Sequence, residues 1–164
     1  MRGRTLLSSR AFAIGARASG ADVASHPRES EDSMKRAAIR EFMTPLPHTI
    51  GRDQPLSAAH RLMNEHHIRH LPVLSAGQLV GIVSDRDLKF VEALKDVDPE
   101  RVTIEEAMSQ APYTVAPATP LGEVVAQMAS ERYGAALVIE HGHVVGIFTA
   151  IDALRTLADL LGKT

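Results

Sequence analysis

Gly81-Ile82-Val83-Ser84-Asp85-Arg86-Asp87 and Gly146-Ile147-Phe148-Thr149-Ala150-Ile151-Asp152 are one heptapeptide written twice, 65 residues apart. Each runs glycine, two apolar residues, a hydroxyl, two variable positions and an aspartate. The offset reaches well beyond them. Met43, Pro47, Thr49, Pro55, Leu56, Met63, Val73, Gly77 and Val80 match Met108, Pro112, Thr114, Pro120, Leu121, Met128, Val138, Gly142 and Val145 without a gap. A fixed offset sustained over this length is the mark of an internal repeat. The chain therefore carries two copies of one small unit. One unit of roughly 60 residues buries too little surface to be robust alone, so the two are expected to share a core.

Composition narrows the function. The 164 residues include no cysteine, which excludes disulfides, thiolate metal sites and a thiol nucleophile. No apolar run approaches the roughly 20 residues that span a bilayer, and a cytoplasmic protein is expected. Residues 1–35 hold six Lys/Arg and four Asp/Glu, and residues 36–164 hold twelve and sixteen, so the body is net acidic. That balance argues against a nucleic-acid surface, which needs a basic stripe. An anionic ligand must be held by local groups. Residues 1–33 are rich in Arg, Ser, Ala and Gly, with no acid before Asp22. They read as a disordered tail, as a start placed too early with Met34 the true one, or as a transit peptide.

The first repeat occupies 34–98 and the second 99–162. Lys35–Phe42 reads as a lead-in helix and Thr49-Ile50 as a short strand. Pro55 starts a helix, where its missing N–H is harmless. Leu56, Ala59, His60 and Met63 then fall on one helical face. Leu71–Leu74 and Leu79–Val83 form a hairpin about Ala76-Gly77. Ser84 caps a helix over Asp85–Leu94. After a connector at Asp96–Pro99, Thr103-Ile-Glu-Glu106 is a capping box for a second lead-in helix. The order then recurs: a strand at Thr114-Val115, a helix from Pro120, strands Ala136–Ile139 and Val144–Phe148 about His141-Gly142, and a helix Ala150–Leu161. The fold class is α/β (α+β), two strand–helix–strand–strand–helix units packed as a pseudo-two-fold pair.

These signatures resemble a pair of CBS domains, the cystathionine β-synthase-type repeat of the nucleotide-sensing Bateman module. The resemblance covers about residues 38–161. It rests on Met43-Thr44-Pro45, on Arg69-His70-Leu71-Pro72-Val73, and on the heptapeptide in both copies. It implies that Ser84, Thr149, Asp87 and Asp152 contact the phosphate and ribose of an adenine nucleotide. Hydroxyls at helix N-termini suit an anion. A carboxylate in the first turn can accept from both ribose hydroxyls. The competing reading is that the hydroxyls are only N-caps and the acids only complement the helix dipole. Gly81 and Gly146, lacking side chains, let a ligand or a neighbouring backbone approach.

The copies differ where charge matters. Arg69, His70 and Arg86 of the first correspond to Gly134, Ala135 and Ile151 of the second. In some family members a basic pair before the inner strand touches phosphates, which makes Arg69, His70 and Arg86 candidate phosphate ligands. The base is expected against backbone near Ile50 and Val115. His60, His66, His67 and His70 are dense in sequence, but a helix ending near His66–His67 breaks the i, i+4 spacing a metal would use. No metal site and no catalytic residue are expected, since no Walker loop, nucleophile elbow or arranged Ser/His/Asp set occurs. The expected function is a stand-alone, non-enzymatic, homodimeric sensor without a cofactor. It would bind an adenine nucleotide, with NAD or S-adenosylmethionine as further candidates, and act on an unknown protein target. The alternative is a dimerisation or partner-docking module with vestigial ligand clefts.

Overall fold

Pro55 and Pro120 mark where each repeat turns from extended to helical chain, each lying in extended backbone as the N-cap of its helix. The computed structural model describes residues 37–162, so the readings of residues 1–33 lie outside it. Repeat 1 runs β2 (Ile50–Gly51), α1 (Leu56–His66), β3 (His70–Ser75), β4 (Gln78–Ser84) and α2 (Asp85–Glu92). Repeat 2 runs β5 (Thr114–Val115), α4 (Leu121–Glu131), β6 (Ala135–Glu140), β7 (His143–Thr149) and α5 (Ala150–Leu160). Ahead of them lie β1 (Thr44–Pro45) and α3 (Ile104–Ala107) respectively. The hairpin turns obey the offset: Ala76-Gly77 has φ 50° and 79°, His141-Gly142 51° and 82°. Two consecutive positive φ values make the type I′ turn that matches strand twist.

In each repeat a short strand runs parallel to the first hairpin strand, and the hairpin strands are antiparallel. The faces of β3, β4, β6 and β7 then divide between two cores. One repeat buries Leu56, Met63, Leu71, Val73, Val83 and Leu88 between its sheet and its helices; the other buries Leu121, Val124, Met128, Ala136, Val138 and Phe148. The opposite strand faces meet between the repeats. There Ala135, Leu137 and Ile147 are buried against Leu79, Ile82 and Ile139. Because β6 is covered on both faces, Ala135–Val138 is an unbroken buried run without the alternation of a one-sided strand.

The lead-ins are exchanged. Ile39 precedes repeat 1 but is buried in the core of repeat 2, and Ile104 precedes repeat 2 but is buried in the core of repeat 1. Leu121 donates its N–H to Ala37 at 2.8 Å and Ile39 donates to Thr119 at 2.9 Å; Leu56 donates to Val102 at 3.0 Å and Ile104 to Gln54 at 2.9 Å. These bonds are the same pair displaced by 65. β1 extends the exchange, pairing antiparallel with β7 through Thr44↔Ile147 and Pro45↔Gly146.

Several expected boundaries change. The lead-in expected as a helix over Lys35–Phe42 is, within the described residues, a single 3₁₀ turn at Ile39–Glu41. Its backbone is drawn into bonds with repeat 2 and Pro45 follows closely, so no longer helix can form. The first short strand is Ile50–Gly51, one residue later than read. α2 ends at Glu92, leaving Leu94 beyond it and 54% exposed.

Candidate functional site

Each heptapeptide ends a strand and opens a helix through a reciprocal cap. The Ser84 hydroxyl and N–H both donate to Asp87 Oδ2, at 2.6 and 2.8 Å, and the Asp87 N–H donates back to Ser84 Oγ at 3.3 Å. Thr149 and Asp152 repeat this at 2.6, 2.9 and 3.3 Å. Two orphan donors of a helix start are satisfied together in this way. The first helical N–H is committed as well, Asp85 donating to the Arg69 carbonyl and Ala150 to that of Gly134, both at 3.0 Å. The anion cradle expected at these helix starts is thus partly filled by the protein. Of the first three helical N–H groups, only those of Arg86 and Ile151 lack a partner among the described residues.

The second carboxylate oxygen separates the copies. Asp152 Oδ1 accepts from Arg155 at 3.2 Å. The residue corresponding to Arg155 in repeat 1 is Phe90, and among the described residues nothing donates to Asp87 Oδ1. Asp87 is half-buried and therefore carries an open acceptor.

His70 lies within electrostatic reach of Asp87 and of Arg69. His70 pairs with Ser84 across the hairpin. Burial holds the imidazole below its ordinary pKa of 6.5, Asp87 pulls the other way, and the Arg69 guanidinium adds to the lowering. Its ring crosses to repeat 2, where a Cβ on Gly134 would stand 2.7 Å from His70 Nε2. The arginines at 69 and 86 are exposed. Ser84, Asp87 and His70 thus lie together, with the Arg69 backbone joined to the same helix start, and Thr149 and Asp152 form the equivalent pair without the basic residues.

The two residues expected to present backbone to a base lie on the short strands β2 and β5. Ile50 is 6% exposed and its side chain belongs to the core of repeat 1. Val115 is half-buried and packs against the core of repeat 2. Neither side chain is free to cover a base, because each short strand needs its one inward residue for the core. What they can offer is backbone, since β2 and β5 are edge strands.

The glycines of the heptapeptides admit protein rather than ligand. A Cβ on Gly81 would stand 2.6 Å from the Ser109 carbonyl and 2.7 Å from Met108 Sδ, and one on Gly146 would overlap Met43. Sequence reading missed this contact. The signal was present: Met43 and Met108 occupy the same repeat position, as do Gly146 and Gly81.

α1 ends at His66, and His67 takes a left-handed φ of 53°, so His66 and His70 do not share a helical face. The His66 ring instead stacks on His48, with centroids 3.7 Å apart. Among the described residues no three His, Asp or Glu side chains gather as for a metal, and no helix is long and apolar enough to cross a membrane.

A family model described as the CBS domain matches residues 39–93 and again 104–159. The chain is 32% identical over 140 residues to an inosine-5′-monophosphate dehydrogenase of Thermoplasma acidophilum, a match covering 78% of this chain and 26% of that enzyme. A second such dehydrogenase, from Korarchaeum cryptofilum, is matched over 21% of its length, so the chain spans about a quarter or less of these relatives. Among solved structures, the CBS domain pair of protein MJ0100 in complex with 5′-methylthioadenosine and S-adenosyl-L-methionine is 26% identical with a TM-score of 0.66, covering 74% of this chain and 99% of that one.

Proposed function

Because the chain belongs to the CBS-domain family, we propose that it is a regulatory, non-enzymatic CBS-pair module that binds an adenine-type nucleotide between its two repeats. The observation that carries this is the hydroxyl–carboxylate pair repeated at both helix starts, with Asp87 Oδ1 accepting no bond among the described residues and His70 within electrostatic reach of Asp87. A carboxylate with one oxygen held by the helix cap and the other free is pre-oriented to accept from a ribose diol. The similarity to a CBS pair solved with two adenosine derivatives supports the ligand class. AMP, ADP and ATP fit the basic residues of repeat 1; NAD and S-adenosylmethionine share the adenosine moiety. The module acts as a homodimer, and ligand signals by favouring one arrangement of repeats or subunits over another. The protein target is identified by what binds only one of these states.

Calorimetry with adenosine, 5′-methylthioadenosine, AMP, ADP, ATP, NAD and S-adenosylmethionine tests the reading. Losing a charge-assisted hydrogen bond to ribose costs about 1.5–3 kcal/mol, or roughly ten- to a hundredfold in affinity. Asp87→Ala should show that loss with its melting transition retained. Unchanged binding in Asp87→Ala/Asp152→Ala would overturn the proposal. One observation favours a second reading, a docking module with vestigial clefts: both Asp152 oxygens are already engaged by the protein. That reading expects no ligand in the series to bind.

A further inference from the structure

Repeat 2 is a built-in control for repeat 1, and at His70 the two part. The counterpart of His70 is Ala135, 6% exposed on the strand faces that meet between the repeats. That place in the fold accepts a methyl group, so an imidazole is not needed to fill it. The ring lies half-buried against the other repeat, where a Cβ on Gly134 would come within 2.7 Å of His70 Nε2. By the offset Gly134 replaces an arginine, Arg69, and its missing side chain leaves the ring its room. Two charges reach the imidazole: Asp87 from α2, which favours its proton, and Arg69, which opposes it. β4 sets the uncharged Ser84 opposite, and repeat 2 faces the ring with the backbone of Gly134.

We infer that His70 makes the first cleft a joint sensor of nucleotide and proton, an anionic nucleotide binding there with uptake of a proton and more tightly as pH falls below neutrality. The inference rests on the proposed nucleotide site and adds its regulation. Before ligand arrives, burial keeps the ring neutral, with its pKa below 6.5. Because the charge of Asp87 already reaches the ring, a phosphate seated at the same helix start reaches it too. A nearby anion favours the imidazolium, so the bound state holds the proton more firmly than the free state. Binding then takes up a proton between the two values. Affinity rises as pH falls through the bound value and levels off below the free one. At neutral pH the ring is uncharged and phosphate is left to the arginines; in acid His70 joins them. A ligand without phosphate adds no charge and draws no proton. The second cleft, with Ala135 in this place, has no such response.

Calorimetry of the full chain with AMP and with adenosine, in cacodylate and in Bis-Tris at about pH 6, counts the protons taken up on binding. AMP should take up more protons in the wild type than in His70→Gln, and adenosine should show no such difference. The phosphate of AMP titrates in the same range, but equally in both proteins. The gain in AMP affinity from about pH 8 to about pH 6 should be a few-fold larger in the wild type than in the variant. Should His70→Gln fail to fold, His70→Ala, which copies the residue of repeat 2, replaces it. Equal proton counts in wild type and variant would overturn the inference while leaving the nucleotide site intact. So would an uptake that adenosine evokes as fully as AMP. Failure of AMP and adenosine to bind either protein at either pH would overturn the nucleotide reading, and this one with it.

Discussion

His70 is the residue on which local chemistry turns. It starts β3, pairs with Ser84, feels Asp87 and Arg69, and reaches Gly134 of the other repeat. Burial is the largest influence on it and favours the neutral ring. Its folded pKa lies below 6.5, close to where an unfolded histidine titrates. Below 6.5 the unfolded chain therefore takes up a proton that folded His70 resists. Stability from this residue is intact above 6.5 and is lost as pH falls through the folded value. Melting temperatures should drop more steeply across that window in the wild type than in His70→Gln, where the group is absent; carboxylate titration at lower pH is common to both. Parallel profiles would show that the ring is not held in the neutral form.

At the scale of elements, the exchanged lead-ins explain what the two heptapeptide glycines are for. Each lets the other repeat's lead-in lie flat on a strand: Met108 and Ser109 on Gly81, Met43 on Gly146. The obstacles differ in kind. At Gly81 an added methyl meets a backbone carbonyl that is itself bonded, Ser109 and Ile82 exchanging hydrogen bonds at 2.9 and 3.0 Å. At Gly146 it meets only a flexible methionine side chain. Overpacking costs about 1–3 kcal/mol. Gly81→Ala should fall near the top of that range in urea denaturation and Gly146→Ala near the bottom, with Met43→Ala relieving the second. Equal losses, or a larger one at Gly146, would show that the lead-ins are not seated this way. The elements themselves were legible because proline helix starts, hairpin turns and apolar periodicity recur twice and check each other. The exchange was not, since repeat spacing says which segments are equivalent and not which copy each packs on. The short first lead-in illustrates this: its backbone donors and acceptors are spent on Thr119 and Leu121, a tertiary demand invisible in its local sequence.

Across the whole molecule, a near-symmetric frame carries asymmetric chemistry. The frame could be read from the offset alone; the site could be read only in part. The hydroxyl–carboxylate pairs were found, and their spacing of three is that of a capping box, but it does not reveal that Arg155 occupies one Asp152 oxygen. It also cannot show that Ile50 and Val115 are spent on the cores. What the sequence did expose is the imbalance of cations, with Arg69, His70 and Arg86 around one signature and Gly134, Ala135 and Ile151 around the other. The structure adds that both arginines are exposed and that His70 favours its neutral form. Phosphate charge at the first signature therefore falls to the arginines, whose guanidinium can hold phosphate oxygens bidentately. Its contribution grows with ligand charge and is weakened by salt because the side chains face solvent. Arg69→Ala and Arg86→Ala should each lower ATP affinity by a few-fold to about tenfold, the lower end of a charge-assisted contact. Adenosine affinity should change little. Raising ionic strength should narrow the gap between ATP and adenosine in the wild type and leave it nearly constant in the double variant. Isothermal titration of both ligands at two salt concentrations measures all of this. Equal losses for ATP and adenosine would place the two arginines in the support of the fold, and the phosphate would have to be held elsewhere in the molecule.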